Sequence, residues 1–134
     1  MKRYIIITVA AALCAMLAIV FISARPVNDT YAAQQHLKQL GWKTRDIPEE
    51  TETVVINADA VQYIKMQEEY GYDLKPYLGK PLLRCTFRIK NYPESGAVYA
   101  NVLIYEGKAV GGDIMTRALD GFMKGLYSKD GTSR

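Results

Sequence analysis

The 134-residue chain predicts an α+β fold: an N-terminal transmembrane helix, then a small domain of order α-β-α-β-β-β-α with an antiparallel sheet packed by helices. Three observations lead there. Residues 4–24 contain no charge. Residues 83–90 alternate strictly between apolar and polar, the period of a strand with one buried face. Two segments, near 29–40 and 58–70, carry apolar residues at helical spacing and end on glycine.

Composition narrows the function classes. The chain is 49% hydrophobic and 23% charged, too apolar and too weakly charged for a disordered protein. Its net charge is +3, but Lys2 and Arg3 supply two of those charges and the rest is close to neutral. A nucleic-acid binder carries a clear basic excess, so no nucleic-acid partner is expected.

The uncharged run 4–24 is long enough, at about 1.5 Å per residue, to cross a hydrocarbon core of about 30 Å. Secretory h-regions are shorter, which favours an uncleaved anchor over a signal peptide. Leu13 before Cys14, and the mid-run position of Cys14, argue against a lipoprotein anchor there. Lys2 and Arg3 precede the run, so the positive-inside bias places the N-terminus in the cytoplasm and the remainder outside the cell membrane. The expected organisation is a cytoplasmic stub and transmembrane signal-anchor over 1–25, a linker over 26–30, an extracytoplasmic α+β domain over 31–127 and a flexible tail over 128–134.

Within the domain, Asn28 or Asp29 can cap a first helix ending at Leu40, with Ala33, Leu37 and Leu40 on one face and Gly41 as its stop. Residues 53–57 read as a short buried strand rich in β-branched residues. A second helix spans about 58–70 and stops at Gly71. Leu83, Cys85, Phe87 and Ile89 then alternate with Arg84, Thr86, Arg88 and Lys90. Val98–Tyr105 and residues 108–115 complete a meander, joined by the turn at Glu106-Gly107. Gly111-Gly112 marks a bulge or a place where another element meets bare backbone. On these strands Val110 and Ile114 are expected to point inward, with Leu103 and Asp113 outward. Leu119, Phe122, Met123 and Leu126 stand at i, i+3, i+4 and i+7, predicting a last helix over 117–127 with Gly121 and Gly125 as a close-packing strip. Helices are expected mostly on one face of the sheet.

Catalytic signatures are sparse. His36 is the sole histidine and borders an apolar stripe, the usual place for a solvated or hydrogen-bonded boundary residue. No second His and no Cys pair accompany it, so no metal site is expected. No serine lies in a nucleophile elbow, no phosphate loop precedes a helix, and no cofactor is expected. Cys85 points with Leu83 and Phe87 into the core, where a thiol is inert. Asp113 and Asp120 are the nearest acidic pair in the C-terminal part, a weak basis for a small hydrolase. The better candidate is the strand face opposite the core. There Arg84, Arg88, Tyr99, Tyr105 and Asp113 would gather, and Arg and Tyr are enriched at recognition surfaces. Peptide, glycan or envelope-protein partners fit such a face, and so does a solvated sheet with cross-strand pairs. A second possibility is an assembly subunit docking through Gly121 and Gly125 on the last helix.

Seven motifs occur in order: Gly41-Trp42, Val54-Val55-Ile56, Gly71-Tyr72-Asp73-Leu74, Tyr77-Leu78-Gly79-Lys80, Asn91-Tyr92-Pro93, Gly111-Gly112-Asp113 and Asp120-Gly121-Phe122-Met123-Lys124-Gly125-Leu126. Over about 31–126 this pattern resembles the bacterial family catalogued as domain of unknown function 4830. The chain departs from that pattern at Asn57, where the family has proline, and at Lys124, where it has histidine. The resemblance implies a Gram-positive, often clostridial, membrane-tethered protein with a compact α+β domain. It brings no catalytic residues. Together these observations lead to an expectation of a non-enzymatic binding or regulatory module facing the cell envelope.

Overall fold

The alternating segment is strand β2 (Pro81–Arg88), and its apolar residues organise the sheet. In the computed structural model, which describes residues 29–93, 96–118 and 120–126, β2 pairs antiparallel with β1 (Glu50–Val55) on one side and β3 (Val98–Tyr105) on the other. β4 (Lys108–Thr116) follows β3, and β5 (Met123–Gly125) closes a five-stranded antiparallel sheet in sequence order. Helix α1 (residues 29–39), helix α2 (Val61–Glu69) and a 3-10 turn at Lys75–Tyr77 make the domain α+β.

The two helices lie on opposite faces, not mostly on one. Ala33, Leu37 and Leu40, from α1 and its end, pack with Trp42 against Cys85, Phe87, Val98, Ala100, Val102, Ile104 and Ile114. On the other face Ile64 of α2 and Leu74 cover Leu82, Leu103 and Val110. The apolar residues expected inward on β2 and β3 are inward. Leu103, expected outside, is only 1% exposed because α2 and the 3-10 segment bury the second face as well.

Both helices end the same way. Gly41 and Gly71 take φ of 89° and 91°, a left-handed conformation open to glycine at little cost. Trp42 N–H then donates to Leu37 O and Gly41 N–H to Lys38 O; after α2, Tyr72 N–H donates to Gln67 O and Gly71 N–H to Glu68 O. These are Schellman closures, and each delivers an aromatic residue, Trp42 or Tyr72, to the first-face core.

Three local expectations are corrected. The strand expected to be buried over 53–57 is instead the edge strand β1, whose Val55 is 52% exposed. Its acidic Glu50 and Glu52 suit an edge that has no neighbour among the described residues. Val110 and Ile114 do not share a face. Leu103 pairs with Gly111 while Ile104 pairs with Ala109, so Val110 is an extra residue, and this bulge turns it to the second face.

The third correction concerns the C-terminus, where no helix forms over the described part of 117–127. Met123, Lys124 and Gly125 pair with Met115, Ile114 and Asp113. Two glycines each cost a helix roughly 1 kcal/mol, and the open edge of β4 supplies hydrogen bonds to the same residues. Gly121 sits in the connecting turn. A Cβ there would lie 1.8 Å from Thr116 Oγ1, the atom that accepts from Phe122 N–H at 3.2 Å.

The adjacent glycines of β4 meet different neighbours. A Cβ on Gly111 would touch the side chains of Leu103, Gln67 and Leu74 at 3.0–3.2 Å. One on Gly112 would lie 2.5 Å from the Asn101 backbone carbonyl and 2.8 Å from Leu126. Gln67, fully buried on α2, accepts from Gly112 N–H at 2.9 Å through Oε1, while its Nε2 has no partner among the described residues. Side chains can yield where backbone cannot. Gly112→Ala is therefore expected to destabilise the domain by about 2–3 kcal/mol, the scale of overpacking, and Gly111→Ala by less, as read by urea unfolding.

Candidate functional site

Side chains on the second face alternate out of β2, β3 and β4 in register. Thr86 is paired with Asn101, and Asn101 with Asp113, so three polar residues form one row across the sheet. They are 1%, 5% and 3% exposed. Thr86 Oγ1 donates to Asn101 Oδ1 at 2.6 Å, and Asn101 Nδ2 donates to Asp113 Oδ1 at 2.8 Å. Both hydrogen bonds run in the same direction and end on the carboxylate. Asp113 Oδ2 has no hydrogen-bond partner among the described residues, and Asp113 belongs to none of their ion pairs.

The row is the floor of a recess of about 220 Å³. Val54, Ile56, Leu103, Met115 and Met123 give it apolar walls, and Tyr63 of α2, Glu50 of β1 and Arg84 of β2 complete its lining. The other charged residues of the lining are engaged: Arg84 pairs with Glu52, and Arg117 pairs with Glu50 at 3.3 Å. The Arg117 guanidinium also stands 4.2 Å from the centroid of the Tyr99 ring, so this side chain lies across the end of the face.

Electrostatics follow from burial. Asp113 is held above the ordinary carboxylate range by desolvation, a shift opposed by the Asn101 hydrogen bond and by the charge of Arg84. Tyr63 is pushed up to about 12, first by burial and then by Asp113, and stays a neutral phenol. The Thr86 hydroxyl donates its hydrogen bond to an amide oxygen, too weak a base to take up the proton, so the row does not activate a nucleophile.

Of the five residues expected on a recognition face, only Arg84 and Asp113 meet in the recess. Arg88 and Tyr99 pair beside each other at one end of the same face. Tyr105 lies at the other end, 5.4 Å from the Tyr77 ring and beneath Lys80. The expectation of one continuous exposed Arg/Tyr surface is thus corrected: helix α2 covers the middle and leaves a recess. Sequence reasoning missed Asn101, Tyr63, Glu50, Met115 and Met123. Asn101 carried a signal, since a polar residue interrupts an otherwise apolar strand between Ala100 and Val102.

The remaining sequence candidates lie elsewhere. Gly125 is in β5 opposite Asp113, so with Gly121 in a turn the two glycines form no helical docking strip. Asp120 is exposed and does not line the recess. His36 Nε2 and the Tyr72 hydroxyl are 2.8 Å apart, the boundary role expected for that histidine. Cys85 is fully buried and pushed up to about 11, mainly by burial. The described residues hold no group of three side chains arranged to ligate a metal. Cys14, Asn28, Ser95 and the apolar run 4–24 lie outside the described residues, and no described helix is long and apolar enough to cross a membrane.

An α+β domain with a small, partly polar recess on one sheet face is thus the class that fold and site define. No protein-family model matches the chain, and neither a curated protein nor a solved structure matches it.

Two outcomes follow from these environments. A carboxyl whose pKa is raised by folding adds stability in full only at acid pH and loses that contribution as pH rises through its folded pKa. Asp113→Asn keeps an acceptor for Asn101, so it should raise the melting temperature at pH 7. The gain should shrink as the pH falls and wild-type Asp113 takes up its proton; calorimetry across pH reads both. Cys85 should resist iodoacetamide at pH 8 until the chain is unfolded, as measured by mass spectrometry of its peptide.

Proposed function

We propose that this chain is a membrane-anchored, extracytoplasmic binding module of the bacterial cell envelope, akin to the domain of unknown function 4830 family, and that it takes its ligand in the recess over Asp113. The anchor and orientation rest on the uncharged run 4–24 and the preceding Lys2 and Arg3. The family kinship rests on the seven ordered motifs.

One observation carries the binding reading. A hydrogen-bonded Thr86–Asn101–Asp113 row lies on the sheet face that also carries the second core of Leu82, Leu103 and Val110, and it opens on a cavity. Apolar residues at those positions would complete the second core more cheaply, because burying polar groups and above all an unpaired carboxylate opposes folding. Polar groups converging at the bottom of an apolar recess are the usual arrangement of a ligand site. A non-enzymatic role fits a row that holds a single carboxylate and whose hydroxyl donates its hydrogen bond to an amide oxygen. The assembly reading through a C-terminal helix has lost its helix, and a hydrolase using Asp113 and Asp120 is disfavoured because the exposed Asp120 does not line the recess over Asp113.

Two measurements test this reading. A C-terminal tag should be cleaved by protease on intact cells while the full-length chain stays in the membrane fraction; protection until lysis would invert the topology. A photo-cross-linking residue at Met123, on the rim of the recess, should give a discrete adduct in those cells. The same residue at Lys108, at the far end of β4, should not. Equal labelling, or none at either position, would remove the recess as the binding site.

A further inference from the structure

Resting on the recess as the binding site, we infer that its ligand is an aliphatic primary ammonium, the side chain of a lysine-type residue in a peptide. The argument begins with Asp113. The residue is 3% exposed and lines the recess, and its carboxyl has one oxygen occupied by Asn101 and the other without a partner among the described residues. A buried carboxylate needs a cation and further hydrogen bonds to be tolerated in its charged form. The one cationic side chain of the lining, Arg84, acts on Asp113 only through space and is paired with Glu52. The missing cation is supplied by the ligand.

Three features choose the kind of cation. A guanidinium binds a carboxylate best through both oxygens, and Asp113 Oδ1 is taken by the Asn101 amide at 2.8 Å. The single free oxygen suits the point charge of an ammonium. Val54, Ile56, Leu103, Met115 and Met123 form walls that match a methylene stem lying along them. The recess, about 220 Å³, is below the roughly 300 Å³ at which pockets for whole small molecules begin, so it accepts a side chain whose parent chain stays outside. An anion is disfavoured because the row's donors end on Asp113 and leave an acceptor oxygen on a residue that lines the cavity.

The test uses the full-length chain in mild detergent and isothermal titration with three probes: the amides of Nα-acetyl-lysine, Nα-acetyl-norleucine and Nα-acetyl-arginine. The lysine probe should bind about ten-fold or more tightly than the norleucine probe, the scale of one hydrogen bond to a charged group. The arginine probe should bind more weakly than the lysine probe. Asp113→Asn should abolish the preference for lysine over norleucine. Met123→Trp, a change at a half-exposed rim position that leaves the floor intact, should abolish binding of all three. Equal affinity for lysine and norleucine, tighter binding of arginine, retention of the preference in Asp113→Asn, or no binding of lysine overturns the inference. If lysine fails while the cross-link at Met123 persists, the recess remains a binding site for another chemistry. If both fail, the recess is not the site.

Discussion

The antiparallel register of β2, β3 and β4 underlies both the core and the recess. It brings Phe87 opposite Ala100 and Ala100 opposite Ile114 on the first face, and Thr86, Asn101 and Asp113 into one row on the second. A slip of one residue would exchange the two faces. It would put the polar row under α1 and turn Cys85 and Phe87 toward α2. Few single positions could accommodate that, because both faces are buried and each has its own helix. The bulge at Val110 belongs to the same constraint. It absorbs one residue near the turn, so that Val110 joins the second core while Gly112, Asp113 and Ile114 keep their places.

The ordered motifs find their reason in packing around this sheet. Gly41-Trp42, Asn91-Tyr92-Pro93 and the Phe122 segment are far apart in the chain and meet at one end of the first face. Tyr92 stacks between Trp42 and Phe122, at 5.7 Å from each. Asn91 fastens the arrangement by donating to Gly41 O and accepting from Lys43 N–H. Such rings bury large apolar areas and stabilise one another beyond that burial. They hold the end of α1 and the β4–β5 connection against the end of β2. These motifs are therefore mainly architectural, while Asp113, in Gly111-Gly112-Asp113, is the point where architecture and candidate site coincide.

Stability and binding pull in different directions at the row. The first-face core is apolar throughout its cluster, with one thiol that burial keeps protonated. The second face gives up part of its apolar area to three polar side chains, one of them a carboxyl that desolvation disfavours as an anion. Groups that oppose folding and open onto a cavity are the ones most readily explained by a ligand.

Local patterns in the sequence were sufficient for some of this. The period-two alternation of 83–89, the glycines after both helices and the apolar run of Val98–Tyr105 determined the strand faces, the helix ends and the α+β class, because each is decided by neighbours a few residues away. The placement of Arg84 and Asp113 on one face was legible for the same reason. The exposure of that face was not, because α2 covers it through contacts between residues far apart in the chain, such as Gln67 with Gly112, 45 positions apart. The end of the chain was misread for a related reason. Phe122, Met123 and Leu126 fit a helical stripe, and only the presence of β4's unpaired edge makes a strand the better use of their backbone. Asn101 became part of a site only when register set it between Thr86 and Asp113. A hydrogen-bonded row across three strands is a property of their pairing, which no single strand contains.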